Sequence, residues 1–232
     1  MGSLGDTAAT RAVIGFAHRG APGPVVRENT LTAFRAAIDG GARALESDVW
    51  LTSDAVPVLV HDGYLGRWPL RQDLTRVRTD RLPEWLPTLA QLYEECGTGS
   101  ELSLDVKDPG GAAAIFSVAQ AAGAAHRLWL CGSTDQLRSW RPLSDAPHLV
   151  ASTTLRRGPA EPVASDVAAA GGEVVNLRWP EWTRGHLAAV HQQGLKAFAW
   201  DVQRRDVLDR LLGWGIDGVY SDSVHLLVDA LG

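Results

Sequence analysis

Cysteine is scarce in this chain of 232 residues: only Cys96 and Cys131 occur, far apart and without metal-ligand spacing. That argues against a disulfide-built scaffold and a thiolate zinc site, and it suits a reduced thiol pair in a cytoplasmic protein. Long apolar runs are missing as well. No stretch of 18 apolar residues is present, so no membrane-spanning helix is expected. The run AVIGFA, 12–17, is too short for the core of a secretory signal and reads as a strand. Positive charge is not in excess. A formal net charge of −5 argues against a nucleic-acid partner, which would favour a basic face. Linkers, low-complexity tracts and sequence repeats are absent too, so residues 1–232 are expected to form one domain. Nothing in the pattern sets an oligomeric state.

What the chain does have is an alternation of short apolar runs with longer helical patterns. After AVIGFA, a helix is expected over about 29–40, capped by Asn29 or Thr30 and stopped by a Gly-Gly pair. ALESDVWL (44–51) follows, then VPVLVHD (56–62) and a stretch rich in arginine and aspartate. Pro87 and Thr88 mark the start of the next helix and Gly97 its end. ELSLDVK, RLWLCG, HLVAST, EVVNLRW, KAFAWDV and DGVYSD come at regular intervals with helical segments between them. In RRDVLDRLLGWG, Val207, Leu208, Leu211 and Leu212 make one apolar stripe at helical spacing. With VPVLVHD counted as an excursion, eight strand–helix units remain. That predicts an α/β protein with a parallel sheet, either closed as a (β/α)8 TIM barrel or open and doubly wound.

In a barrel, chemistry gathers where strands end. The candidate reactive residues of this chain fall at those positions: His18 and Arg19, Glu46 and Asp48, His61, Asp105 and Lys107, Trp200 and Asp201, Ser221 and Asp222. Glu46 and Asp48 are two apart on an extended segment and so share a face. Paired carboxylates in an otherwise apolar run need a counter-charge, and a hard divalent cation supplies one. Asp105 and Lys107 repeat the spacing with an acid and a base. The structural alternatives are a surface pair and a salt bridge in the barrel mouth, respectively. His18 and His61 suit acid–base work near neutral pH. Arg19, before Gly20, suits a phosphate gripped by a forked guanidinium. Glu28 and Asn29 read as helix-start residues, the acid for the dipole and the amide for a cap. The remaining histidines, at 126, 148, 186, 191 and 225, read as structural or solvated.

These residues resemble the glycerophosphodiester phosphodiesterases. The resemblance rests on HRG, ENTLTAF, GARALESDVWLTSDAVPVLVHD, LPTLAQL, LSLDVK and GIDGVYSD, in order and spread over residues 13 to about 224. It implies a TIM barrel with a short insertion after the second strand, about residues 52–86. It implies hydrolysis of glycerophosphodiesters to glycerol 3-phosphate and an alcohol, with His18 and His61 as the acid–base pair. Glu46, Asp48 and Asp105 would bind one divalent cation, Mg2+ or Ca2+. Arg19 and Lys107 would bind phosphate oxygens, and Trp200 would touch substrate. Two positions depart from the family pattern. Asp105 stands where glutamate is usual, one methylene shorter, so the ion would shift or take a bridging water. AWDVQ replaces a Trp-Thr-Val-Asn-like ending. The expected partner is a small phosphodiester. Two rivals remain: a lysophospholipase D with an acyl groove walled by tryptophans among residues 50, 68, 85, 179, 182 and 200, and a barrel that binds phosphodiesters without cleaving them.

Overall fold

A computed structural model describes residues 12–155 and 158–232. The chain enters through strand β1 (Ile14–Ala17), helix α1 (Leu31–Asp39) and β2 (Ala44–Leu51). It then leaves the alternation for β3 (Pro57–Leu59) and a small hairpin of β4 (Tyr64–Leu65) and β5 (Gln72–Asp73). Helix α2 (Leu89–Cys96) resumes the pattern. There follow β6 (Glu101–Val106), α3 (Ala112–Ala121), β7 (Leu128–Gly132), α4 (Thr134–Trp140) and β8 (His148–Ser152). The last units are α5 (Ala160–Ala169), β9 (Val174–Arg178), α6 (Arg184–Gln192), β10 (Lys196–Trp200), α7 (Arg205–Trp214), β11 (Gly218–Ser221) and α8 (Val224–Leu231).

Eight of these strands are parallel neighbours, and β1 pairs with both β2 and β11, which closes the sheet. The fold is therefore a (β/α)8 barrel, not an open sheet. β3 runs antiparallel to β2 (Val49 opposite Leu59), so VPVLVHD is a hairpin arm outside the barrel ring.

Strand alternation divides the apolar residues in two. Inward side chains fill the barrel: Phe16 stacks on Tyr220 with ring centroids 4.8 Å apart, and Phe198 lies 5.4 Å from Trp129. Outward ones such as Leu45, Leu104, Leu130, Leu149 and Leu177 are buried under the helices. The stripe on α7 behaves as its spacing predicts: Val207, Leu208 and Leu211 are buried, and Leu212 packs at the margin. Local signals set the helix ends. Thr88 with Gln91, and Ser133 with Gln136, form reciprocal capping boxes.

The amino-terminal end of the barrel is plugged by a polar network. Glu101 accepts from Arg127 Nη1 (2.9 Å) and from Trp129 Nε1 (2.7 Å). His148 stacks on Trp129 at 4.0 Å and donates through Nδ1 to Glu173 (2.6 Å). The carboxyl-terminal mouth is left open. Among the described residues, no helix is long and apolar enough to cross a membrane.

Candidate active site

The open mouth holds a cleft of about 540 Å³, lined by all eight residues selected from the sequence: His18, Arg19, Glu46, Asp48, His61, Asp105, Lys107 and Trp200. The turn after β1 brings the first two there. Gly20 has φ +86°, and a Cβ on it would meet the Ala33 backbone carbon at 2.7 Å, so only glycine lets this turn lie against α1. Arg19 itself is left-handed, with φ 55°. Its backbone N–H donates to Glu46 Oε2 (3.0 Å), Nη1 donates to both Glu28 oxygens (3.0 and 3.1 Å), and Nε is 3.2 Å from Asp48 Oδ2.

Glu28 and Asn29 do more than open a helix. Thr30 is the cap of α1, accepting from the Ala33 N–H, and no acid sits in the first turn. Glu28 instead fixes the Arg19 guanidinium. Asn29, bonded through its N–H to the Arg19 carbonyl (3.1 Å) and held at φ 55°, is buried under the acids. Its Nδ2 donates to Asp48 Oδ2 (3.2 Å), and its Oδ1 accepts from Ser47 (2.7 Å).

Glu46 and Asp48 both point into the cleft, as their spacing predicts, and each is almost wholly buried. Burial, with Asp48 and Asp105 nearby, pushes the Glu46 carboxyl up to about 8 against the opposing pull of His18 and the Arg19 N–H. Burial also pushes Asp48 up, but the Lys107 and Arg19 cations outweigh it and hold its carboxyl below the usual range. Lys107 Nζ is 2.6 Å from Asp105 Oδ2 and 3.0 Å from Asp48 Oδ1. Among the described residues, no three acids, histidines or cysteines converge on one point as a ready metal cage. The Lys107 ammonium thus bridges Asp48 and Asp105, while Glu46 has no such cation on it among the described residues.

Both histidines are oriented by aspartates. His18 Nδ1 lies 2.6 Å from Asp222 Oδ1, and His61 Nδ1 lies 3.0 Å from Asp62 Oδ1. A carboxylate only accepts, so the proton sits on Nδ1 and Nε2 is the atom left for chemistry. Burial pulls the His18 pKa down, but the bond to Asp222 and the Glu46 charge outweigh it, so the pKa is raised. His18 Nε2 is 3.8 Å from Glu46 Oε2. Gln203 in turn clamps Asp222: Nε2 donates to Oδ2 (2.8 Å), and Oε1 accepts from the Asp222 N–H (3.0 Å) and the Ser221 hydroxyl (3.2 Å). Gln203 belongs to AWDVQ, the second departure noted in the sequence.

The far wall was only partly read from the sequence. Asn176 is buried there with Nδ2 on Ser152 and Oδ1 without a hydrogen-bond partner among the described residues, and Cys131 and Tyr220 form the floor. The signal for Asn176 was present: it is a lone amide at an inward position of an apolar run. Of the six tryptophans considered for an acyl groove, Trp200 alone lines this cleft. Trp182 is buried with Nε1 on the Phe198 carbonyl, Trp50 donates to the His61 carbonyl, and Trp85 lies under Arg27. His148, His186 and His191 bond to Glu173, the Glu181 carbonyl and Asp217, away from the cleft, as structural histidines do. No disulfide joins Cys96 and Cys131.

Known proteins share this fold and sequence pattern. The sequence profile of the glycerophosphoryl diester phosphodiesterase family matches residues 18–106 and 113–226. A glycerophosphodiester phosphodiesterase of Caldanaerobacter subterraneus is 26% identical over 240 residues, covering 92% of this chain and 96% of that protein. The glycerophosphodiester phosphodiesterase of Thermotoga maritima superposes with a TM-score of 0.81 at 23% identity, over 94% of this chain and 98% of that one. A phosphodiesterase of Oleispira antarctica, solved with its product sn-glycerol 3-phosphate, superposes with a TM-score of 0.79 at 20% identity, over 94% and 96% of the two chains. With the family profile covering nearly the whole barrel, the chain belongs to the glycerophosphoryl diester phosphodiesterase family, a family of phosphoric diester hydrolases.

Proposed function

We propose that this protein hydrolyses glycerophosphodiesters to sn-glycerol 3-phosphate and an alcohol, using His18 and His61 for proton transfer and one divalent cation held by Glu46, Asp48 and Asp105. The observation that carries this is the meeting, in one cleft, of two aspartate-oriented imidazoles with two cations beside buried carboxylates. Arg19 donates through Nη1 to Glu28 and lies in ion-pair range of Asp48 through Nε, and Lys107 uses two protons on Asp48 and Asp105. Each keeps a donor for a phosphate oxygen, which fits a monoanionic diester. Negative charge that builds on phosphorus during displacement would be met by these fixed cations. One Nε2 would take the proton of the attacking hydroxyl, from water or from the glycerol 2-position, and the other would protonate the leaving oxygen.

The acids fit a hard cation in charge and in donor type. An almost wholly buried Glu46 carboxyl near two other acids is costly to ionise in the protein alone, and a dication beside it would remove that cost. When bound, the ion would polarise the phosphoryl oxygens. The three carboxylates are the residues that would hold it, with Lys107 released towards substrate. Trp200, exposed over 42% of its surface at the rim, would face the organic part of the diester.

A panel of glycerophosphodiesters assayed for glycerol 3-phosphate release, with Mg2+, Ca2+ or chelator, tests this reading. Release is expected with a divalent ion and lost on thorough chelation. His61→Ala should cost about 10²- to 10⁴-fold in kcat, the usual contribution of a general acid or base. Turnover near that of the unaltered protein would remove His61 from the chemistry.

A further inference from the structure

We propose that the tip of the β4–β5 hairpin docks the protein on an anionic lipid surface. Trp68 is 84% exposed and Leu70 is 83% exposed, two positions apart on the turn between those strands. The Trp68 indole makes no hydrogen bond and no ring contact among the described residues. Every other tryptophan packs, donates, or lines the catalytic cleft. An indole and a leucine set out together in water are what an interfacial segment buries at the headgroup–acyl boundary.

Charge selects the partner. Residues 63–82 carry five arginines against two aspartates, a local charge of +3 on a chain whose total is −5. Arg67 and Arg71 bracket the tip, and the Arg71 guanidinium lies 3.0 Å from the Tyr64 ring centroid, held close to the strand. Apolar side chains flanked by arginines match a bilayer with anionic headgroups, where each such cation near the surface is worth about a fivefold factor in binding. The tip is a protrusion from two strands of two residues each, and neither Trp68 nor Leu70 lines the small cleft at its base. That leaves no groove in which a partner's helix would seat.

The location gives docking a purpose. The hairpin follows directly on His61, which lines both clefts, and Tyr64, Leu65 and Gly66 share the basal cleft with Arg27 and Glu28. A surface under the tip therefore lies next to the mouth. Docking does not depend on the reaction proposed above, because it uses none of the catalytic side chains.

The test is sedimentation of the full chain with vesicles of phosphatidylcholine alone or mixed with phosphatidylglycerol. Binding is expected to the mixed vesicles, weaker on pure phosphatidylcholine, and weakened by salt. The double variant W68S/L70S should bind the mixed vesicles at least about tenfold less, and R67E, a change of two charges, about 25-fold less. Turnover of a soluble glycerophosphodiester should be unchanged in all variants. Equal vesicle binding by W68S/L70S would overturn the proposal, as would a loss of soluble turnover in that variant. So would absence of vesicle binding together with a change in sedimentation coefficient, which would make the tip a contact between copies. If the protein had no phosphodiesterase activity, the vesicle arm would still read out on its own.

Discussion

At the residue scale, the side chains proposed for catalysis are positioned by groups whose sequence signal was weak. His18, Arg19, Glu46, Asp48, His61, Asp105 and Lys107 were legible because each breaks an apolar run at its carboxyl end. Asn29 was not: a polar residue before a helix has an ordinary explanation as a cap, and only the fold shows it reaching Asp48. Asp222 was visible as a strand-end acid, but its bond to His18 joins residues 204 positions apart, which spacing cannot reveal. That bond implies a measurable role. Asp222→Asn keeps the shape but lets Nδ1 lose its charged acceptor, so His18 no longer has a fixed tautomer. A hydrogen bond to a charged group is worth about 1.5–3 kcal/mol, or roughly 10- to 150-fold in rate if it acts in the transition state. The expected result is a fall of that size in kcat with KM little changed, and a smaller fall for Gln203→Leu, which frees Asp222 without removing it. A rise in KM alone would assign Asp222 to substrate binding.

At the element scale, regular units were read well and irregular ones were not. The helix expected over about 29–40 sits within two residues of its observed bounds because the Thr30 cap and the Gly-Gly stop act locally. The β4–β5 hairpin went unread because strands of two residues have no periodicity. The turn from β1 to α1 is short on regular structure but strongly determined. Its conformation hangs on Gly20, whose positive φ and close approach to Ala33 leave no room for a side chain. Gly20→Ala therefore either strains this turn, at about 1–3 kcal/mol, or displaces it. Because the turn carries both His18 and Arg19, a shift of about 1 Å is enough to cost roughly 10²-fold in kcat/KM. Steady-state kinetics beside a thermal melt would show a folded protein with poor turnover. Full activity would mean that the turn relaxes without moving those two side chains.

At the scale of the whole molecule, the barrel separates chemistry from stability along its axis. The chain has two lysines, and they stand at opposite ends: Lys107 in the open mouth, and Lys196 in the plug with Nζ 4.9 Å from the Trp129 ring. The plug also contains Glu173, bonded to His148 and reached by Arg141 Nη2 at 3.3 Å. Burial pushes the Glu173 carboxyl up, but the His148 bond and charge, then Arg141 and Lys196, outweigh it and hold it below its ordinary value of 4.5. A carboxyl depressed in the folded state stabilises that state above the unfolded pKa, and the contribution is lost as pH falls through the folded value. The side chain is 38% exposed, so solvent screening limits the effect to about 1 kcal/mol. For a chain of this length that is a shift of about 2–4 °C in Tm. Glu173→Gln should therefore melt about 2–4 °C below the unaltered protein at neutral pH, and the gap should close as pH drops below 4.5. Its kcat/KM at a temperature where both are folded should be unchanged, because the plug and the cleft lie at opposite ends of the barrel. A gap that persists at low pH would trace the effect to packing and not to charge, and a fall in kcat/KM would show that the two ends are coupled through the barrel interior.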